Sequence, residues 1–377
     1  MATLMTGATG YLGGYTLLEL LERSDEPVFL LIRGGSARVR LEKLWKGLQL
    51  HIDLPRFESL LPRLRLIHGD LLQPGLGIAA ADRASILDEC DAIYHGAASL
   101  NRMSARVCVN ANVRGTIGTL EIAREMHQRG TLRRYTFVST AAVVGDRRAE
   151  HLLEDESLDF NVPALDPYAR TKRICEEIVQ RLLPDDVSRA ILRPVTVMGD
   201  SRHPRTTSFE MPAAFVWLAN MPLVPMKPDT RIDIVNADWV GRASAAIHLA
   251  PDLEHRVFFL SAGRQSPSAR VISEALESWG HRKLRFAPWM ANGFFAAARA
   301  GSRLPRGNPV QGASVLLKVF WPYIVSDVTH DNTRAVEVAG EAPTPFEAYC
   351  SPYFQWVSER RMSFPYTPLP ERIGEQP

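Results

Sequence analysis

The stretch Thr3-Leu4-Met5-Thr6-Gly7-Ala8-Thr9-Gly10-Tyr11-Leu12-Gly13-Gly14-Tyr15 decides the fold of this chain. The short apolar run that ends at Met5 has the length of a buried β-strand. Glycines at every third position follow it, and the leucines beyond Tyr15 give a helix with an apolar face. A glycine-rich turn from strand to helix lets the backbone approach a phosphate, and the unpaired N–H groups of the first helical turn bind its charge. The stretch therefore predicts a phosphate-binding βα unit.

A second apolar run, Val28-Phe29-Leu30-Leu31-Ile32, predicts a parallel strand buried on both faces, and it ends at Arg33. In a dinucleotide-binding βαβ unit, the residue about twenty positions past the glycines contacts the adenosine ribose, and an acid there selects a free 2′-hydroxyl. Arg33 holds this place, with Arg38 and Arg40 just beyond. A guanidinium binds a 2′-phosphate through paired hydrogen bonds, whereas a carboxylate repels it. We therefore predict NADPH as the cofactor; the alternative is that Arg33 is a solvated loop arginine.

Composition restricts the possible classes of protein. A chain of 377 residues with a formal net charge of +2 can bury one large or two modest cores and gives no reason to expect a nucleic-acid partner. Its cysteines, Cys90, Cys108, Cys175 and Cys350, lack metal-type spacing, so we expect no bound metal and reduced thiols in a cytoplasmic protein. No uncharged apolar run reaches the roughly 18 residues of a membrane span, and we expect no signal peptide before the first strand.

Short apolar runs and helical patterns continue to alternate along the chain. Further strands are predicted at residues 63–68, 92–95, 134–139 and 189–192. This alternation predicts an α/β fold with a Rossmann-type, doubly wound parallel sheet, whose ligands lie at the carboxyl ends of the strands.

Two positions at these strand ends are candidate cofactor contacts. Asp70 is placed to accept a hydrogen bond from the adenine amino group, and the alternative is ordinary turn chemistry before Pro74-Gly75. Ala97 belongs to a run of small residues, 96–99, where a cofactor must lie against the backbone.

The alternation of strands and helices breaks beyond residue 195. We expect residues 1–195 to form the NADP-binding Rossmann domain, completed by about 232–265, where a strand, a helix and another strand are predicted. Residues 196–231 and 266–377 are then expected to form a smaller, mixed substrate-binding domain, with a helix near 269–279.

Tyr168 and Lys172 lie one turn apart on the same face of a predicted helix. A tyrosine hydroxyl, with an ordinary pKa of about 10, is a poor proton donor to a developing alkoxide unless its phenolate is stabilised. We expect the Lys172 ammonium to lower the pKa of Tyr168 and to hold the nicotinamide ribose. Thr140, at the end of another strand, offers a hydroxyl for the substrate carbonyl. Tyr168 and Lys172 alone could be a surface pair, but their position after Ser139 and the glycine turn favours a catalytic site.

Together these residues resemble the extended short-chain dehydrogenase/reductases from residue 1 to about 265. Within that family the chain looks most like the thioester reductase and fatty acyl-CoA reductase group, which has a male-sterility-type NAD-binding domain. The closer match lies in these motifs: Leu31-Ile32-Arg33 with Arg40-Leu41, His68-Gly69-Asp70-Leu71 with Pro74 and Leu76-Gly77, Ile93-Tyr94-His95-Gly96-Ala97-Ala98 with Asn112-Val113-Arg114-Gly115-Thr116, Arg193-Pro194 with Gly199-Asp200-Ser201, and Asp233-Ile234-Val235. The chain departs from the family at Asn236-Ala237-Asp238-Trp239-Val240, where Pro-Val-Asp-Tyr-Val is commoner, and at Val195, where glycine is usual.

The resemblance implies a reaction and a set of site residues. Hydride would pass from NADPH to the carbonyl carbon of an acyl-CoA or a carrier-protein-bound acyl thioester, giving an aldehyde and, after a second reduction, an alcohol. Thr140, Tyr168 and Lys172 would be catalytic. The implied cofactor site comprises Gly7, Thr9, Gly10, Tyr11, Leu12, Gly13, Arg33, Arg40, Asp70, Leu71, Ala97, Asn112, Ser139, Tyr168, Lys172, Pro194, Val195 and Thr196.

Two alternative functions stay open at this point. One is a ketone or aldehyde reductase, or a sugar-nucleotide enzyme, with the same catalytic groups and cofactor. The other is a cofactor-sensing protein that binds NADP without turnover, although the intact catalytic set argues against it. The acyl chain, its carrier, the final product and the oligomeric state are left open.

Aromatic residues concentrate in two segments, 286–304 and 315–323, with arginines at positions 299, 303 and 306 on their flanks. One hypothesis is that these segments line an apolar channel for an acyl chain or touch a membrane surface. The alternative is that they are the ordinary core of the smaller domain.

Overall fold

A parallel β-sheet forms the centre of the fold. The structure is a computed structural model and describes residues 2–154, 157–278, 280, 282–305 and 308–373. The sheet strands within these residues are β1 (Ala2–Thr6), β2 (Val28–Ile32), β3 (Leu64–His68), β4 (Cys90–His95), β5 (Arg134–Val138), β7 (Ser188–Pro194) and β10 (Val257–Leu260). Their order across the sheet is β3-β2-β1-β4-β5-β7-β10.

Helices connect these strands and cover both faces of the sheet. They are α1 (Tyr11–Arg23), α2 (Ala37–Leu48), α3 (Leu54–Leu60), α4 (Ala80–Glu89), α5 (Ala105–Cys108), α6 (Arg114–Gln128), α7 (Pro167–Leu182) and α9 (Ala237–Leu249). Alternate side chains of β2 enter different cores: Leu30 and Ile32 pack with α1, α2 and α9, whereas Phe29 and Leu31 pack with α4, α6 and α7. A strand buried on both faces is typical of a doubly wound sheet, so the predicted fold is confirmed.

The register of the strands aligns the ends that build the cleft. Thr6 at the end of β1 lies beside Leu31 of β2 and beside His95 of β4. The chain leaves β1 toward β2 on one side and later returns to β4 on the other. Loops on the two sides of β1 therefore diverge, which opens a crevice at the carboxyl edge of the sheet.

Two pairs of short strands lie outside the central sheet. β8 (Thr196–Val197) pairs with β9 (Ile234–Val235), and β6 (His151–Leu152) pairs with β11 (Thr329–His330). The strand predicted near residue 232 is therefore β9 of a small sheet, and β10 is the strand that extends the central sheet.

A third hydrophobic core is built from residues between Met198 and Met362. Its helices are α8 (Glu210–Ala219), α10 (Ala269–Ser278), α11 (Ala291–Gly301), α12 (Pro309–Ile324) and α14 (Cys350–Glu359). The predicted helix 269–279 corresponds to α10, and its last position, 279, lies outside the described residues, as does position 306.

Two pieces of the range 266–377 do not pack in this third core. Helix α13 (Thr333–Ala339) packs on α9 and β10, with Ala335 buried in the core that α1 and α9 share. Leu369 and Ile373 are buried in the same core. The range 266–377 therefore contributes apolar side chains to the core of the Rossmann sheet as well as to the third core.

Candidate active site

A cleft of about 870 Å³ lies at the carboxyl edge of the sheet. The ends of β1, β2, β3, β4, β5 and β7 line it. The predicted site residues in its wall are Gly7, Thr9, Gly10, Tyr11, Leu12, Gly13, Arg33, Asp70, Leu71, Ala97, Ser139, Thr140, Tyr168, Lys172, Pro194, Val195 and Thr196. Arg40 and Asn112 are the two predicted residues that the structure does not place in this wall.

The turn between β1 and α1 leaves no space for side chains at two of its glycines. Gly7 has a φ of +89°, and a Cβ there would lie 2.6 Å from the Ala97 nitrogen. A Cβ at Gly13 would lie 1.9 Å from the Gly7 carbonyl oxygen. Gly10 precedes α1 and has no side chain to cap it, so the first-turn N–H groups are left for a ligand. This backbone cradle fits the pyrophosphate of a dinucleotide.

Of the three arginines beyond β2, Arg33 is the one that lines the cleft, and its side chain is exposed. Arg40 donates from Nη1 to the Gly34 carbonyl oxygen at 3.0 Å and does not line the cleft. Arg38 binds backbone carbonyl oxygens between residues 369 and 373. Arg33 is therefore the one of the three that is exposed at the cleft, and its contact with a 2′-phosphate stays a prediction.

Asp70 takes part in a turn and also lines the cleft. Its Oδ1 accepts a hydrogen bond from the Leu72 nitrogen at 3.0 Å, and its own N–H donates to the Leu76 carbonyl oxygen at 2.7 Å. The turn interpretation is therefore correct for Oδ1. Contact with adenine stays a prediction for the second carboxylate oxygen.

Asn112 lies behind the cleft wall, in a π-helical turn, Val109–Val113. Its Oδ1 accepts from the Ser99 nitrogen at 2.7 Å, and its Nδ2 donates to the Ser99 carbonyl oxygen at 3.2 Å. Nδ2 also donates to Thr171 Oγ1 at 3.1 Å. Asn112 thus fixes the loop after β4 against helix α7 and does not line the cleft; the cofactor contact stays a prediction.

Helix α7 presents Tyr168 and Lys172 to the cleft. Asp166 caps the helix by accepting a hydrogen bond from the Ala169 nitrogen at 2.8 Å. Tyr168 is 6% exposed and Lys172 is 2% exposed. Lys172 Nζ donates to the Val138 carbonyl oxygen at 2.6 Å, so the end of β5 holds the ammonium group. The surface-pair alternative is excluded by this burial.

The structure differs from the expectation that Lys172 lowers the pKa of Tyr168. Burial raises the pKa of Tyr168; the nearby Arg102 charge and a hydrogen bond with Thr140 oppose this rise without cancelling it. Burial lowers the pKa of Lys172 to about 8. Tyr168 is therefore protonated at neutral pH and available as a donor. Among the neighbouring charges, that of Arg102 has the largest effect on the pKa of Tyr168.

Arg102 and Tyr323 also line the cleft. Sequence reasoning missed Arg102, and it included Tyr323 only as the end of the aromatic segment 315–323. Arg102 follows β4 in the loop at the carboxyl edge, where its charge was a usable signal. Tyr323 comes from α12, more than a hundred residues after Tyr168, and no local pattern brings the two together.

The aromatic segments divide between the two hypotheses made for them. Phe320 and Tyr323 line the cleft, as a channel requires. Trp321 is buried in the third core, and Phe294 packs against it, as ordinary core residues do. Trp289 is 81% exposed, but it is not in the cleft wall.

Neither a metal site nor a membrane span is found among the described residues. No group of three or more His, Cys, Asp or Glu side chains in this part of the chain could hold a metal ion. None of the helices described above combines the length and the apolar character needed to cross a membrane.

Relatives of the chain are found among multidomain synthetases and reductases. It is 32% identical over 206 residues to a component of the linear gramicidin synthase of Brevibacillus parabrevis, a match that covers 53% of this chain and 4% of that protein. It is 28% identical over 228 residues to a putative fatty acyl-CoA reductase of Drosophila melanogaster, a match that covers 53% of this chain and 41% of that protein. The chain thus spans less than half the length of either relative.

Solved structures share the whole fold. The terminal R domain from the myxalamid PKS-NRPS biosynthetic pathway superposes with a TM-score of 0.82 at 24% identity, covering 96% of this chain and 91% of that one. This likeness shows the fold. The sequence model described as "Male sterility protein", an NAD-binding family, matches residues 5–244, which is more than half of the chain. The resemblance inferred from the motifs is confirmed: the chain belongs to the male sterility protein family of NAD-binding domains.

Proposed function

We propose that this chain is an NADPH-dependent reductase that converts an acyl thioester, either acyl-CoA or carrier-bound, into an aldehyde. The observation that carries the proposal is the convergence of Thr140, Tyr168 and Lys172 on the cleft that contains the glycine cradle. The relatives support the substrate class, because one is a putative fatty acyl-CoA reductase and a structural neighbour is a terminal R domain.

The cofactor is held by residues of the cradle and the strand ends. Gly7 and Gly13 admit the pyrophosphate because a Cβ at either position would collide with backbone. Arg33 binds the 2′-phosphate, which makes NADPH the preferred form. When bound, the cofactor supplies the hydride. Lys172 uses one of its three donors on the Val138 carbonyl oxygen, which leaves two for the ribose hydroxyls.

Thr140 and Tyr168 stabilise the oxygen of the reacting carbonyl. Their hydroxyls donate hydrogen bonds to it as negative charge develops, and Tyr168 transfers its proton. The product of hydride and proton addition is a hemithioacetal. Its carbon–sulfur bond then breaks, the hydroxyl proton leaves and the thiolate is protonated. One thioester, one NADPH and one proton thus give one aldehyde, one thiol and one NADP⁺.

The substrate half of the cleft supports a substrate-binding role for residues 196–231 and 266–377. Met211, Phe320 and Tyr323 from these ranges line the cleft. The apolar rings among them suit an acyl chain.

A substrate panel tests the proposal. NADPH oxidation is followed with acyl-CoAs of several lengths, the same acyl groups on a pantetheine-bearing carrier protein, aldehydes, ketones and sugar nucleotides. Tyr168→Phe is the control for non-enzymatic oxidation. Turnover confined to ketones or sugar nucleotides would replace the proposed substrate class. NADPH binding without turnover of any substrate would indicate a cofactor-sensing protein.

A further inference from the structure

Arg102 lies in a cage of aromatic rings beside the proposed acid. The centre of its guanidinium is 4.9 Å from the Tyr168 ring centroid and 4.7 Å from that of Tyr323. The Phe320 ring centroid is 5.6 Å away. Rings at these distances attract a cation through their electron-rich faces, so the cage holds the charge against the Tyr168 ring.

Polar contacts fix the same guanidinium from the other side. Arg102 Nη1 lies 2.5 Å from Asp166 Oδ2 and donates to Tyr323 Oη at 2.9 Å. Tyr323 Oη itself donates to Asp166 Oδ2 at 2.7 Å. Asp166 is also the cap of α7, so one carboxylate joins the catalytic helix, the loop after β4 and helix α12.

The position of Lys172 makes the charge of Arg102 more important for the ionisation of Tyr168. The Lys172 ammonium donates to the Val138 carbonyl oxygen and lies over the Phe137 ring, at 4.6 Å from its centroid. The hydrogen bond of Lys172 thus goes to the end of β5, whereas the guanidinium of Arg102 lies against the ring of Tyr168. The groups whose charge or hydrogen bond shifts the pKa of Tyr168 are Arg102, Thr140, Asp166 and Cys108. Lys172 follows one turn later on the same helix.

We propose that Arg102 is a positioning residue that orients the Tyr168 ring and stabilises the phenolate left after proton transfer, and that Asp166 attenuates its charge. The inference rests on the proposed function, because it assigns Tyr168 the role of acid. An opposite charge within about 4–6 Å stabilises an ionised group, and a like charge destabilises it. Arg102 and Asp166 therefore act on the phenolate in opposite directions.

Two variants separate this electrostatic role from a structural one. In reduction the activity is expected to fall at high pH in two steps, first as Lys172 loses its proton near pH 8 and then, at higher pH, as Tyr168 ionises; the second step is the basic limb that the variants move. Arg102→Met keeps the packing in the cage but removes the charge, so this basic limb is expected to move up by about one pH unit and kcat to fall about tenfold. Asp166→Asn keeps the helix cap, since asparagine caps as well as aspartate, and frees the Arg102 charge; the limb is expected to move down. The double variant should return toward the wild-type limb, and NADPH affinity should change little in all three.

A purely structural contact would give a different pattern. The inference would be overturned if the basic limb of the pH profile moved in the same direction in Arg102→Met and Asp166→Asn, or moved in neither variant. If Arg102→Met fails to fold, Asp166→Asn still decides, because an unmoved or raised limb contradicts the charge argument.

A second readout needs no turnover, so it distinguishes failure of this inference from failure of the proposed function. Tyrosinate absorbance is titrated in each variant, with and without Tyr168→Phe, and the difference reports the ionisation of Tyr168 alone. Opposite displacements in Arg102→Met and Asp166→Asn would support the inference even if no thioester is reduced. Coincident titration curves would refute it even if thioesters are reduced.

Discussion

The two halves of the cleft are built on different principles. The cofactor half is made of backbone: Gly7 and Gly13 are there because a Cβ would collide with Ala97 or with the Gly7 carbonyl. The substrate half is made of side chains, such as Arg102 and Tyr323, that come from loops and helices far apart in the chain. The comparison teaches that a phosphate cradle is encoded within a few residues, whereas a substrate wall depends on tertiary packing.

The largest effect is expected from removing the acid while leaving the cofactor half intact. Tyr168→Phe keeps the ring and its contact with Arg102 but lacks the proton donor. Turnover should fall by roughly a hundred- to ten-thousandfold, with NADPH affinity nearly unchanged. Turnover and NADPH affinity measured on the same preparation check this. A comparable loss in both would show that the two halves are not separable at this residue.

The converse change is a substitution in the glycine turn, which should weaken cofactor binding. Gly13→Ala places a Cβ 1.9 Å from the Gly7 carbonyl oxygen, so the turn must shift and NADPH affinity should fall by about a hundredfold. Gly293→Ala is the matched control, because a Cβ there meets no atom within 4 Å among the described residues. Titration of NADPH fluorescence measures both. Equal affinities in the two variants would mean that the cradle does not hold the cofactor.

Much of this contrast could be predicted from the sequence. The glycine turn, the doubly wound sheet and the pairing of Tyr168 with Lys172 follow from local spacing and the helical period. The direction in which an arginine side chain points does not follow from local spacing. Arg33 and Arg40 look equivalent in sequence, and what separates them is the loop conformation that offers the Gly34 carbonyl to Arg40.

The contacts that support the site could not be predicted from the sequence for the same reason. The motif that contains Asn112 predicts a cofactor contact, and no pattern in the sequence indicates the hydrogen bonds that Asn112 makes with Ser99 and Thr171 from its π-helical turn. The partnership of Arg102 with Tyr323 joins residues that meet only after α12 packs on the cleft. Such pairs are set by long-range contacts, and single-sequence patterns carry no record of them.

A smaller effect separates the arginines at the ribose end. Arg33→Asp should raise the KM for NADPH at least about tenfold and affect NADH less, because a carboxylate repels the 2′-phosphate. Arg40→Met is the matched control: it loosens the loop at Gly34 and should weaken NADPH and NADH to a similar degree. Steady-state kinetics with both cofactors provide the ratio. A cofactor preference unchanged by Arg33→Asp would show that Arg33 is merely solvated.

The remaining prediction concerns Lys172, which serves both halves, and it changes stability instead of turnover or cofactor affinity. Burial lowers its pKa to about 8 from an ordinary value of 10.5. The unfolded chain therefore binds the proton more tightly, and the burial penalty is fully present below pH 8 and disappears as the pH rises toward 10.5. The unfolding free energy of wild type relative to Lys172→Met should thus rise on the order of 2 kcal/mol across this window. Chemical denaturation at several pH values measures it, and a difference independent of pH would contradict the lowered pKa.

The central claim is that Tyr168 and the bound cofactor together reduce a thioester to an aldehyde. The most direct test incubates the protein with an acyl thioester and NADPH that carries deuterium at the transferable position, and identifies the products by mass spectrometry. We expect free thiol in an amount equal to that of an aldehyde, or alcohol, with deuterium on the former carbonyl carbon. Tyr168→Phe should form both products at least about a hundredfold more slowly. Thiol released together with an unlabelled carboxylic acid would show hydrolysis and contradict the claim.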